Sequence, residues 1–202
     1  MVTMVVCHPR PESFTHAAAG RVRAALLADR HEVRLHDLYV ERFDPVLRAD
    51  EYLRKFSLDD RVQEYYRDLT ESDGIVVLHP DWWGMPPALL VGWIDRVFRP
   101  GIAYEFEGYE FGPKRKVPLL SGKRALVFCT TDADRSGSGG ARHPLVRLWR
   151  DTVFGYCGVE ARVKLFYRFR DSTPAERERW LTSAARTARG LFAVPSADTP
   201  EL

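Results

Sequence analysis

The chain reads as an α/β protein, a doubly wound five-stranded parallel sheet in the order 2-1-3-4-5 with helices on both faces. Two observations lead to that reading. Short apolar runs of strand length alternate along the chain with helical stripes of apolar residues. Two of those runs lead directly into loops of unusual composition that open helices: His8-Pro9-Arg10-Pro11-Glu12-Ser13-Phe14-Thr15 and His79-Pro80-Asp81-Trp82-Trp83-Gly84-Met85-Pro86-Pro87. Strands joined through helices run parallel by right-handed crossovers. Open parallel sheets bind ligands at the carboxyl ends of their strands, where the strand order reverses. With the first strand central, the loops after strands one, three and four would meet at that point, an inference from a strand order that the sequence itself does not fix.

The elements follow in order. Val2 to Cys7 is an apolar first strand, and Phe14, Ala18, Val22 and Leu26 then recur every four residues as a helix stripe. Glu32 to Leu38 alternates as an edge strand. Ser57-x-x-Asp60 resembles a capping box for a helix running to about Ser72. Gly74 to Leu78 is continuously apolar, as expected of a strand buried on both faces. Pro87 suits the first turn of the next helix. Leu89, Leu90, Trp93, Ile94, Val97 and Phe98 form its stripe, with Asp95 and Arg99 as an i,i+4 pair. A long aromatic excursion from Gly101 to Pro118 precedes a fourth strand, Lys123 to Thr130. His143-Pro144 starts a helix ending near Gly158, which supplies a left-handed cap. Val159 to Phe166 is the fifth strand, Thr173-Pro174-Ala175-Glu176 caps the last helix, and the tail of about residues 194–202 is expected to be disordered. No repeat or linker divides residues 1–202, so one domain is expected.

With 202 residues, 45% hydrophobic and 29% charged, the chain is long enough to bury one sizeable core. Thirty Lys and Arg against 28 Asp and Glu leave a formal charge of +2, with no basic stripe of the kind that binds nucleic acid. Cys7, Cys129 and Cys157 are widely spaced in apolar settings, as small buried hydrophobes of a reduced cytoplasmic protein rather than a disulfide framework or a metal site. No run approaches the roughly 20 apolar residues of a membrane span, and no signal-peptide pattern precedes the first strand.

The first loop ends at a helix N-terminus, where unpaired amides and the helix dipole attract an anion. Ser13 and Thr15 add hydroxyls there, and His8 and Arg10 add potential positive charge. The same residues also read as a simple cap and turn. The second loop sets Trp82, Trp83 and two prolines outside a buried strand. An aromatic wall beside tight-turning amides suits the isoalloxazine ring of a flavin. Core packing or a dimer interface is the other account of those tryptophans. The third loop, Thr130-Thr131-Asp132-Ala133, offers hydroxyls for a pyrimidine edge and continues into the glycine run Ser136 to Gly140, which also reads as a solvated loop.

Together, H-x-x-x-x-S-F-T, P-D-W-W-G-M-P-P-A-L-L-V-G-W-I-D-R-V-F, P-G-I-A-Y and the Thr130-Thr131 pair resemble the flavodoxin-like NAD(P)H:quinone oxidoreductases of the DT-diaphorase type, over about residues 2 to 192. The resemblance implies FAD, or FMN, as cofactor, NAD(P)H as donor, a quinone-like acceptor and a homodimer with active sites at the interface. It implies that His8, Arg10, Ser13, Phe14 and Thr15 hold the flavin phosphates and ribityl chain. Pro80, Asp81, Trp82, Trp83 and Gly84 would line the ring edge, Thr130, Thr131 and Asp132 its pyrimidine side, and Tyr104 and His143 would serve catalysis. The chain departs from the family's Thr-Thr-Gly-Gly in having Asp132-Ala133, which introduces a carboxylate, and it lacks a clean match for the family's tyrosine after that loop. His143 is also placed to start a helix at Pro144. The implied reaction is ping-pong, with donor and acceptor sharing one slot and the flavin carrying the chemistry. Ancillary subunits of potassium efflux systems resemble the same family and provide a second, regulatory reading.

Overall fold

The structure, a computed structural model, describes residues 1–108, 112–135 and 143–193. The glycine run and the tail from residue 194 lie outside them. Five parallel strands form the central sheet: β1 (Val2–Val6), β2 (Val33–Asp37), β3 (Gly74–Pro80), β6 (Arg124–Thr130) and β7 (Glu160–Phe166), in the order β2-β1-β3-β6-β7. This is the expected 2-1-3-4-5 order. The two additional labels belong to an antiparallel hairpin, β4 (Tyr104–Gly108) with β5 (Lys114–Pro118), which is paired from Tyr104 with Pro118 to Gly108 with Lys114. Sequence reasoning passed over this hairpin as an irregular excursion, because its strands are largely exposed and carry no buried alternation to reveal them.

Strand alternation divides the core in two. On one face, Met4, Val6, Val76, Leu78, Leu126 and Phe128 pack under α1 (Phe14–Ala28) and α6 (Pro174–Phe192). On the other, Val5, Cys7, Ile75, Val77, Val127 and Cys129 pack under α3 (Asp60–Glu71), α4 (Ala88–Val97) and α5 (Pro144–Arg147), the last continuing through a π-helical turn, Leu148–Phe154. Burial on both sides explains the unbroken apolar runs of β1 and β3.

Several local expectations are corrected. The cap of α3 is Asp59, whose side chain accepts the Arg61 N–H, while Ser57 Oγ accepts the Asp59 N–H. Pro87 is the cap residue of α4 rather than its first helical residue. The Asp95–Arg99 pair has no helix to support it, since α4 ends at Val97 and the Arg99 guanidinium lies over the Tyr52 ring. A short helix, α2 (Ala49–Arg54), precedes α3. It has no apolar stripe to signal it, and Glu51 anchors it by pairing with the buried Arg96 of α4. The Thr173–Glu176 capping box on α6 and the left-handed Gly158, φ +82°, are as expected. At Gly158 a Cβ would meet Ser121 and Pro118 at 2.4 and 2.9 Å.

Candidate functional site

The loops after β1, β3, β6 and β7 converge at the carboxyl edge of the sheet. There they enclose a cleft of about 360 Å³ lined by His8, Pro80, Asp81, Trp82, Trp83 and Thr130 to Asp132, with Phe169 and Arg170 from the loop after β7. Beside it lies a space of about 210 Å³ toward the first turn of α1, lined by Arg10, Glu12, Ser13, Phe14, Thr15 and Arg177, and sharing His8, Thr130 and Phe169 with the cleft. The size of each, and their continuity, suit a ligand with a flat body and a polar tail.

The aromatic wall is built on a two-residue turn. Trp82 and Met85 exchange backbone hydrogen bonds of 3.0 and 3.1 Å, and between them Trp83 (φ +62°) and Gly84 (φ +75°) are both left-handed. Positive φ at both central positions defines the type I′ turn, an unfavourable state for tryptophan by about 1–2 kcal/mol. Asp81 Oδ1 accepts the Gly84 N–H at 2.8 Å and braces the turn. The Trp83 side chain is fully exposed, and its amide has no acceptor among the described residues. Behind the turn, His79 is buried. Its Nδ1 donates to the Pro80 carbonyl and its Nε2 accepts from Trp149 Nε1 at 2.9 Å. Burial pushes this histidine down to about 4.

Several anticipated donors and charges are already committed within the protein. The Thr131 hydroxyl, expected to donate toward a ligand, donates instead to Asp81 Oδ2 at 2.7 Å and accepts the Ala133 N–H. The Gly84 amide is likewise held by Asp81. Asp132 accepts the Arg170 N–H and pairs with its guanidinium at 3.2 Å. Its backbone is not left-handed, so the local conformation does not require glycine. His8 accepts the Arg10 N–H on Nδ1, and burial holds its basicity below the ordinary value. Arg10 is exposed and paired with Glu12. The expected positive charge from these two residues is therefore largely absent. Arg177 also lines the phosphate-side space and pairs with no carboxylate among the described residues; it lies over Phe169, its Nε donates to Ser172 Oγ at 2.9 Å and its Nη2 to the Phe169 carbonyl at 3.4 Å.

Two anticipated catalytic residues lie off the cleft. His143 is buried and caps α5, Nδ1 accepting the Leu145 N–H, with Nε2 3.5 Å from Asp81 Oδ2; among the described residues that carboxylate is its link to the cleft. Tyr104 packs edge-on against Tyr156 and Phe106 at the hairpin. Sequence reasoning missed Phe169, Arg170 and Arg177. They follow the fifth strand as the other loops follow theirs, and that position was the available signal.

Residues 1–189 match the family described as flavodoxin-like fold. The chain belongs to the flavodoxin-like fold family. It is 29% identical over 162 residues, 78% of each chain, to an uncharacterized NAD(P)H oxidoreductase of Haemophilus influenzae. It is 26% identical over 218 residues to the mouse ribosyldihydronicotinamide dehydrogenase [quinone], covering 95% of this chain and 91% of that one. The solved NAD(P)H:quinone oxidoreductase of Methanothermobacter marburgensis superposes with a TM-score of 0.77 at 25% identity, over 94% and 96% of the two chains. This flavodoxin-like chain is an oxidoreductase.

Proposed function

We propose that the chain is a flavin-dependent NAD(P)H oxidoreductase that reduces a quinone or similar planar acceptor, with FAD or FMN held across the two joined spaces. The observation that carries this is the continuity of an aromatic-walled cleft with an anion-suited one, sharing His8, Thr130 and Phe169. The donor set fits the group. At the tail, Ser13, Thr15 and Arg177 stand beside the amides of Phe14 and Thr15, which have no acceptor within their own helix. At the ring, the Asp81 and Asp132 carboxylates are occupied by internal donors, so neither faces the ligand unpaired.

Bound there, a flavin would accept hydride from NAD(P)H and pass the electrons to the acceptor. The protein's part is orientation. Trp82 and Phe169 flank the ring space, Asp81 rigidifies the turn that presents Trp83, and His143, through Asp81, positions that carboxylate. One cleft serves both substrates in turn. Trp83 and Met85 at the turn beside the cleft, and Phe106 and Tyr156 at the hairpin, leave apolar surface exposed, which supports a homodimer. A catalytic contribution by Tyr104 requires that second copy, because Tyr104 does not line its own subunit's cleft. Three free, buried thiols, with Cys7 pushed up to about 12 by burial, suit a reducing cytoplasm. No helix of the described residues is long and apolar enough to cross a membrane.

The test is steady-state kinetics of the flavin-loaded protein with NADH or NADPH at several fixed quinone concentrations. Parallel double-reciprocal lines are expected. Intersecting lines would overturn the shared slot, and absent turnover would favour the ancillary-subunit reading.

A further inference from the structure

Three side chains beneath the phosphate-side space form a hydrogen-bonded line from the end of β2 to the first turn of α1. Asp37 Oδ2 lies 2.7 Å from His16 Nε2, and His16 Nδ1 lies 2.9 Å from Ser13 Oγ. The partners determine where the protons sit. Asp37 Oδ1 accepts the N–H groups of Tyr39 and Val40 at 3.1 and 3.2 Å, so this carboxylate acts as an acceptor on both oxygens and Nε2 must carry hydrogen. The opposite neutral tautomer would set a ring lone pair against the carboxylate. With the ring neutral, Nδ1 is bare, and the Ser13 hydroxyl spends its only hydrogen on it. With the ring protonated, Nδ1–H donates to Ser13 Oγ, which also accepts the His16 backbone N–H at 3.3 Å. Both lone pairs are then used and the hydroxyl hydrogen is free.

We propose that this protein binds the phosphate end of its ligand together with one proton, taken up by His16, which turns Ser13 from a donor to His16 into a donor to the anion. The proposal rests on reading the cleft as a flavin site, and His16 acts as a positioning residue. The titratable and charged groups around it are Asp37 from β2, His8, Arg10 and Glu12 from the loop after β1, and Arg177 across the space from α6. Arg10 and Glu12 pair with each other. An arriving phosphate therefore adds negative charge beside a histidine that already faces one carboxylate, which favours the imidazolium. No sequence motif pointed to this line, because Asp37 joins Ser13 and His16, neighbours at the start of α1, only when β2 is laid beside β1.

The test is calorimetric titration of the full-length apoprotein with FMN, and with riboflavin as the phosphate-free probe. It uses two non-phosphate buffers of different ionisation enthalpy at pH 8, well above the phosphate's own second pKa of about 6. Net proton uptake on FMN binding is expected, with none for riboflavin. FMN affinity should fall up to about tenfold per pH unit between pH 7 and 9, the slope that linkage assigns to one proton. His16→Asn, whose amide does not titrate, should abolish proton uptake and flatten the pH profile. His8→Gln should retain uptake, and its loss there would move the proton to His8 and overturn the assignment. Tight FMN binding with no proton taken up would overturn this inference while leaving the flavin site intact. Failure to bind FMN, FAD or riboflavin at either pH would overturn both.

Discussion

Trp83 is the residue at which local stability and binding conflict most openly. It holds a left-handed backbone, φ +62°, with its whole side chain in solvent, and such strain persists where the surrounding structure over-determines it, often at binding sites. Because no packing would be lost within the subunit, Trp83→Gly should leave urea stability unchanged or raise it by up to about 1 kcal/mol, the relieved strain set against glycine's greater chain entropy. The same change should weaken flavin binding, read by fluorescence titration. A large loss of stability with unchanged affinity would show Trp83 to be a structural residue. At this scale sequence reasoning named most residues that line the cleft but not where their protons sit. That Thr131 donates to Asp81, and that burial lowers the basicity of His8, depends on where groups fall after folding. Residue types and spacing do not carry that information.

At the scale of elements, the join between β3 and the π-helical turn rests on His79, which accepts the Trp149 N–H and donates to the Pro80 carbonyl. Its basicity is pushed down to about 4 by burial, against about 6.5 in an unfolded chain. Between those values the unfolded chain binds a proton that the folded one refuses. The stability His79 allows is therefore complete above about pH 6.5 and is lost as pH falls toward 4, by roughly 3 kcal/mol. Urea unfolding from pH 7 to 4 should show wild type losing that much more stability than His79→Gln, whose amide can keep both hydrogen bonds. Parallel curves would contradict this. The strands were legible as short apolar runs or alternation, α1 and α4 by their apolar stripes, and α3 and α6 by capping signals. The six-residue α2 was not, since it is held by a pair with Arg96 of a distant element, and the β4–β5 hairpin was not, since its largely exposed strands carry no buried alternation.

For the whole molecule, the strand order that brings four loops to one edge is the order expected, although the crossover rule gives only parallel strands and no residue pattern fixes which strands are neighbours. What a single subunit leaves incomplete is the cover over Trp83, Met85, Phe106 and Tyr156. Sedimentation at micromolar concentration should therefore report a dimer, and a fully active monomer would exclude a pocket shared between subunits. The central claim is that the joined clefts hold a flavin that NAD(P)H reduces. Its most direct test is anaerobic mixing of the flavin-loaded protein with NADH or NADPH, followed by absorbance. The yellow band should bleach completely before any acceptor is present and return when a quinone is added. A band that stays intact in excess NADH and NADPH alike would contradict the account.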